Sequence, residues 1–197
     1  GQKLTAIIPV RGGSKGIPKK NLSRLGKDTL LERTIKLAKN SGYVDRVLVS
    51  TDDEEMFVIA KQHGVAMQNL RPAELATDTA KTVDVVKQAI AAENIDEGYI
   101  LLLQVTSPLR IPADLQALCN AFDNADPTQV EAIVSLVEHD APHPDKIQKI
   151  DDGYVRSYLG KESMVARQQL PKVYSLNGAF YLTHRDILLE KSTFMPQ

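Results

Sequence analysis

A single cysteine, Cys119, stands among the 197 residues of this chain, and that excludes an internal disulfide. No apolar window is long enough to span a membrane, and no secretory h-region follows the start, so the expectation is a cytoplasmic protein. Neither sign of charge dominates: 24 basic residues face 25 acidic ones, for a net charge of −1. That balance argues against a general nucleic-acid surface. There is no internal repeat and no low-complexity tract. There is no Gly-x-Ser-x-Gly elbow, so hydrolase-type nucleophilic catalysis has no support. His63, His139, His143 and His184 lack metal-ligand spacing, and Pro142 and Pro144 make a helix carrying His139 and His143 untenable.

What remains fits one α/β domain, residues 1–197, with 43% apolar residues and ample material for a core. An apolar run, Leu4 to Val10, reads as a buried first strand and leads into Arg11-Gly12-Gly13-Ser14-Lys15-Gly16-Ile17-Pro18-Lys19-Lys20-Asn21. The glycines allow close backbone approach. Arg11, Lys15, Lys19 and Lys20 concentrate cations with no acidic residue among them. A loop of this kind at the carboxyl end of a strand suits a polyphosphate. It matches neither standard fingerprint: Gly16 precedes Ile17 where a P-loop needs Lys, and Gly12-Gly13 has the wrong spacing for a dinucleotide fold.

Downstream, helix and strand patterns alternate, which predicts a doubly wound, mainly parallel sheet. Leu30, Leu31, Ile35 and Ala38 mark a helix closed by Gly42; Arg46 to Thr51 reads as a strand ending in Asp52-Asp53. Met56, Ile59 and Ala60 mark the next helix, closed by Gly64, and Val65 to Gln68 reads as a short third strand. Asn69 to Thr82 is a loop long enough to suggest function. Val83, Val86 and Ile90 give a helix, and Tyr99 to Leu103 a strand covered on both faces. The strand runs into a second polar loop, Gln104-Val105-Thr106-Ser107-Pro108-Leu109-Arg110. Leu115, Leu118 and Phe122 define a helix, beside whose apolar stripe Cys119 reads as a packed thiol. Val130 to Val137 is the next strand.

The segment from Glu138 to Pro171 differs. Lys146 to Ile150 and Tyr154 to Tyr158 alternate around Asp151-Asp152-Gly153, a hairpin signal. It reads as a protruding arm whose apolar content needs a partner, with a second copy of the chain the natural one. A strand within Tyr174 to Thr183 and a short helix over His184 to Lys191 close the pattern.

Ligands of such sheets bind beyond the carboxyl ends of the strands. Three loops converge there: Arg11–Asn21 with cations for phosphates, Asn69–Thr82 with amides and Arg71 for a base edge, and Gln104–Arg110 with groups for a polyhydroxyl partner. The residues therefore point to an enzyme acting on a nucleotide and a second polar substrate. A nucleotidyltransferase for another sugar or another NTP, and a non-catalytic nucleotide-binding module, stay open on this reading.

Arg11-x-x-Ser14-Lys15-Gly16-x-Pro18-x-Lys20-Asn21 resembles the signature loop of the cytidylyltransferases that activate sialic acid, the CMP-N-acylneuraminate synthetases. The resemblance continues through Arg71-Pro72-x-Glu74-Leu75-Ala76, Gln104-x-Thr106-Ser107-Pro108-Leu109-Arg110, Arg167-Gln168-Gln169-Leu170-Pro171 and Asn177-Gly178-Ala179-x-Tyr181, in family order along nearly the whole chain. Val105 departs from it, where many relatives have Pro.

The resemblance implies CTP and a nine-carbon 2-keto sugar acid as substrates, with Mg²⁺ as cofactor. It implies that Arg11, Ser14, Lys15 and Lys20 hold the triphosphate, with Arg11, Lys15 and Lys20 serving catalysis. It implies that Asn21, Arg71, Ala80 and Thr82 line the cytidine site, and that Gln104 and Tyr181 face the sugar. Lys146 and Arg167 would reach the neighbouring subunit's site in a homodimer joined through the arm, residues 138–171. The family's Asp-x-Asp metal motif has no counterpart after Arg167, and the resemblance places it beyond residue 197.

Overall fold

The computed structural model describes residues 3–13, 20–65, 67–105, 112–126, 128–139, 143–160, 166 and 169–196. In chain order these form β1 (Leu4–Pro9), β2 (Arg24–Leu25), β3 (Asp28–Thr29), α1 (Leu30–Asn40), β4 (Arg46–Ser50), α2 (Glu54–Gln62), α3 (Thr82–Ala92), β5 (Tyr99–Leu103), α4 (Pro112–Asp123), β6 (Ala132–His139), β7 (Gln148–Asp151), β8 (Tyr154–Ser157), β9 (Val173–His184) and α5 (Arg185–Lys191). They divide into a main unit, residues 1–135 and 178–197, and an arm unit, residues 136–177. No helix among the described residues is long and apolar enough to cross a membrane.

The sheet of the main unit follows from period-two burial. Ala6 and Ile8 of β1, Val47 and Val49 of β4, and Leu101 and Leu103 of β5 pack into one core with Leu31 and Ile35 of α1 and Leu115 and Leu118 of α4. Their neighbours Ile7, Leu48, Ile100 and Leu102 pack into a second core with Val86, Ala89 and Ile90 of α3 and Leu188 of α5. Alternate residues thus face opposite sides. Both sides are covered, which is why the strands read as unbroken apolar runs. The strand order is β4-β1-β5-β9-β6. β1 lies parallel to both β4 and β5, while β9 returns antiparallel to β5 with Leu103 opposite Phe180.

Two helices begin at side-chain caps that the sequence encodes. Thr29 accepts the Glu32 amide at 3.1 Å, and the Glu32 carboxylate accepts the Thr29 amide at 2.9 Å, a reciprocal capping box that starts α1. Asp53 accepts the Met56 amide at 2.9 Å and starts α2.

The strand expected at Val65 to Gln68 does not form among the described residues of that stretch. Val65 and Met67 are both buried, but one in each core, whereas residues two apart on a strand would share a face. β4 is the outermost strand on that side. The Gln68 amide donates to the Glu93 carboxylate at 2.7 Å, and the Arg71 amide to the Thr51 carbonyl at 2.7 Å. With the Val65 amide on the Ala60 carbonyl at 2.9 Å, isolated bonds to a helix end, a side chain and β4's exit stand where a ladder was expected. Glu93 is itself buried and receives Arg46 at 2.8 Å, so one carboxylate ties β4 to the return segment. Cys119 is buried, and burial, helped by Asp123, pushes its thiol up to about 11, as befits a packed and unreactive group.

In the arm unit β7 and β8 pair antiparallel, with Ile150 opposite Val155 and Lys149 opposite Arg156. The turn uses Asp152 at φ 51° and Gly153 at φ 80°, the left-handed pair that a tight two-residue hairpin requires. One face carries the Lys149–Asp151 and Arg156–Asp151 ion pairs at 3.6 and 3.8 Å; the other carries Ile150 and Val155. His143 is buried; its Nδ1 accepts the Asp145 amide at 3.1 Å, so Nε2 carries the hydrogen given to the Pro171 carbonyl at 3.1 Å. That histidine is a structural cap with both nitrogens occupied.

Candidate active site

Because β4, β1 and β5 run parallel, their carboxyl ends share one edge of the sheet. The backbone leaving β1 is pinned there at two successive points. The Val10 amide donates to the Ser50 carbonyl at 2.9 Å, and the Gly12 amide donates to Asp52 Oδ1 at 2.9 Å. Asp53, already the cap of α2, lies against Gly12: a Cβ built on Gly12 would stand 2.8 Å from Asp53 Oδ2 and 2.9 Å from Asp53 Cβ. Two carboxylates at the end of β4 therefore hold the entrance to the cationic loop, one by a hydrogen bond and one by contact.

This explains the need for glycine at position 12 by close approach. Gly12→Ala is expected to lower stability by about 1–3 kcal/mol through overpacking. Chemical denaturation would read the loss as an earlier midpoint at unchanged slope. A midpoint equal to that of the wild type would show that Asp53 swings aside without cost.

A cleft of about 420 Å³ opens at this edge. Of the residues singled out from sequence it gathers Arg11, Lys20, Asn21, Arg71, Ala80, Thr82 and Gln104. Each comes from one of the three loops expected to converge. Lys20 and Asn21 sit in a 3-10 turn, Lys20–Leu22, and Ala80 and Thr82 bring the N-terminal end of α3 to the wall. The positive end of that helix dipole favours anions there.

Arg71 is 6% exposed and its guanidinium is turned largely to protein. Nε donates to Ser50 Oγ at 3.0 Å, Nη2 to the Ser50 carbonyl at 2.7 Å, and Nη1 to the Leu75 carbonyl at 3.2 Å. Burial lowers the pKa of this group; Asp52 opposes the shift and Arg11 adds to it. So Arg71 lines the cleft and also fastens the 71–75 turn to the end of β4.

Tyr181, expected from sequence at the sugar, is not among the residues lining the cleft. It lies opposite Leu102 on β9, its ring 6.1 Å from that of Phe194, partly buried against the core on the α3 and α5 side. Lys146 belongs to the arm unit, where it is exposed in the 3-10 turn Pro144–Lys146. Ser14, Lys15 and Arg167 lie outside the described residues.

Sequence reading missed three carboxylates at this edge: Asp52, Asp53 and Asp78. Asp53 could have been found from the Asp-Glu-Glu run opening a helix pattern. Asp52 and Asp78 carry no such signal. Asp78 pairs with Arg11 at 2.5 Å, across the chain from the loop it meets.

A family model described as cytidylyltransferase matches residues 5–195. The N-acylneuraminate cytidylyltransferase of Streptococcus agalactiae serotype V is 32% identical over 195 residues, covering 98% of this chain and 46% of that protein. The chain thus spans about half the length of that relative. The pseudaminic acid cytidylyltransferase of Campylobacter jejuni is 31% identical over 198 residues, covering 98% of this chain and 84% of that protein. A solved CMP:2-keto-3-deoxy-manno-octonic acid synthetase complexed with CTP superposes with a TM-score of 0.70 over 99% of this chain and 79% of its own, at 18% identity, a likeness of fold. The sheet, the loops that meet at its carboxyl edge and the match along nearly its whole length agree: this chain belongs to the cytidylyltransferase family.

Proposed function

We propose that this chain activates a nine-carbon 2-keto sugar acid, of the sialic, legionaminic or pseudaminic type, with CTP, giving the CMP-sugar and pyrophosphate. The observation that carries the reading is the single cleft that places Arg11, Lys20, the 71–82 loop and Gln104 around one space. Arg11 and Lys20, with Ser14 and Lys15 of the same loop, take the triphosphate. Asn21, Ala80, Thr82 and the turn braced by Arg71 take the cytidine. Gln104 of the cleft and, on the resemblance alone, Tyr181 are assigned to the sugar, with the carboxylate bound by Lys146 and Arg167 from a second subunit.

The anomeric hydroxyl attacks the α-phosphorus, a phosphorus–oxygen bond forms, and the bond to the β-phosphate oxygen breaks to release pyrophosphate. The hydroxyl proton leaves to a base. Cations stabilise the charge growing on the phosphate oxygens, and positioning supplies much of the remaining acceleration.

Mg²⁺ belongs to this proposal. The described residues do not offer it a site of their own: no group of three or more His, Cys, Asp or Glu among them could hold a metal. The carboxylates at the edge already serve the Gly12 amide, the Met56 amide and Arg11. Magnesium commonly binds substrate phosphates with only one or two protein carboxylates, so the ion enters the proposal with CTP. The reaction is placed in the cytoplasm, where CTP is made.

A homodimer through the arm is part of the same reading. On the arm unit Ile150 is 80% exposed, Val155 71% and Tyr154 68%. A two-stranded hairpin is marginal in water by itself, and exposed apolar faces of this kind favour a two-fold partner. Ile150→Lys is expected to shift the protein from dimer to monomer in sedimentation velocity. A wild type that sediments as a monomer at tens of micromolar would remove the dimer.

The test of the reaction is pyrophosphate release with CTP, UTP, ATP or GTP against N-acetylneuraminic, legionaminic and pseudaminic acids. Release with CTP and one of these acids is expected. Turnover with another nucleotide alone would reassign the enzyme, and CTP binding without turnover of any acid would leave a nucleotide-binding module.

A further inference from the structure

The cleft contains a carboxylate where the proposed chemistry calls for cations. Asp78 Oδ1 lies 2.5 Å from Arg11 Nη1, and both residues line the cleft. The ion pair joins two well-anchored backbones. Arg11 sits between the Val10 amide, bonded to Ser50, and the Gly12 amide, bonded to Asp52. Asp78 sits in a turn closed by the Ala80 amide on the Thr77 carbonyl at 3.3 Å, with Thr77 and Thr79 hydroxyls 3.3 Å apart. The side chains are 28% and 39% exposed, so water and solutes reach the pair.

A carboxylate and a phosphate use the same guanidinium donors in the same planar fork. A polyphosphate that meets Arg11 must therefore share it with Asp78 or displace the carboxylate. We infer that Asp78 competes with polyphosphate for Arg11 and so weakens the cleft's hold on nucleotide and on pyrophosphate alike. The inference rests on the proposed function for the identity of the nucleotide; the competition itself concerns any polyphosphate. Its consequence for turnover is ready release of pyrophosphate, since the same carboxylate recaptures Arg11 as the product leaves.

The experiment is calorimetric titration of the chain with inorganic pyrophosphate, and separately with CTP, for the wild type, D78N, R11Q and the double variant. D78S serves as a second substitution should D78N lower the thermal midpoint. A partly exposed ion pair is a modest competitor, so D78N is expected to bind pyrophosphate roughly three- to fivefold more tightly than the wild type. In the R11Q background the same change is expected to have no effect.

Unchanged or weaker binding by both Asp78 variants overturns the inference, as does absence of pyrophosphate binding by all proteins. Equal tightening with and without Arg11 also overturns it, because the carboxylate would then act through space on the cleft at large. The outcomes separate from those of the proposed function. The expected pyrophosphate pattern without any CTP binding would retain the competition and remove the nucleotide. Normal CTP turnover with silent Asp78 variants would do the reverse.

Discussion

Lys20→Ala is expected to reduce turnover by about two to three orders of magnitude, the size of losing one well-placed stabiliser of transition-state charge. Lys20 stands on the wall of the cleft in a 3-10 turn whose carbonyl receives the Ser23 amide at 2.9 Å, so its backbone is held while its side chain is exposed. A cation beside a transferring phosphoryl group acts more strongly on the transition state than on bound CTP. The loss should therefore fall mainly on kcat. Lys61→Ala is the control: Lys61 lies on α2 over the ring of Phe57, 4.5 Å from its centroid, and does not line the cleft. Near-normal turnover of the Lys20 variant would remove it from the phosphate site.

Arg71→Met is expected to destabilise the protein by about 2–4 kcal/mol, because it leaves buried acceptors without their donor. The Ser50 carbonyl keeps the Val10 amide at 2.9 Å, but Ser50 Oγ and the Leu75 carbonyl lose the guanidinium. Methionine fills a similar volume, so the cost reports hydrogen bonding and charge more than a cavity. For a chain of this size the thermal midpoint should fall by roughly 5–15 °C. The effect should extend to CTP, whose base would meet a loosened 71–75 turn. A variant with an unaltered midpoint and weakened CTP affinity would show Arg71 acting on the base directly, through donors the protein does not need.

The two predictions probe two loops that line one cleft. On the Lys20 side the side chain extends from a short turn and the energetics belong to the ligand. On the Arg71 side the guanidinium is consumed by the fold and the ligand meets what it holds in place. Asp52 and Asp53 do for the first loop what Arg71 does for the second. In each case the carboxyl end of β4 supplies the anchor, through Asp52 and Asp53 just past it or Ser50 as its last residue, which makes that end the reference point for the site.

Much of this was legible in the residues alone, for a reason that lies in short-range periodicity. Tyr99 to Leu103 reads as a doubly covered strand and is buried throughout; Asp152-Gly153 demands a tight hairpin and makes one. Arg11, Lys20, Asn21 and Gln104 meet because parallel strands put their following loops on one edge, a rule of topology that needs no coordinates, whereas Arg71, Ala80 and Thr82 follow no strand and reach the edge on a loop that Arg71 fastens to the end of β4. Val65 to Gln68 misled because a short apolar pattern reports burial, and burial can be met by single anchors at the side of a sheet as well as by a strand.

Tertiary structure alone decided the partners of charged groups. Asp52 to Gly12, Asp78 to Arg11 and Arg71 to Ser50 join positions far apart in sequence. No local pattern marks them, since a carboxylate's partner depends on which crossover stacks beside which strand. The same holds for Tyr181, whose face of β9 was set by its register with Leu102. The sequence by itself determined where strands end, and hence where a ligand would sit; the packing of α2, α3 and the 69–82 loop around β4 determined which cations face that ligand and which are held by a neighbouring carboxylate or carbonyl.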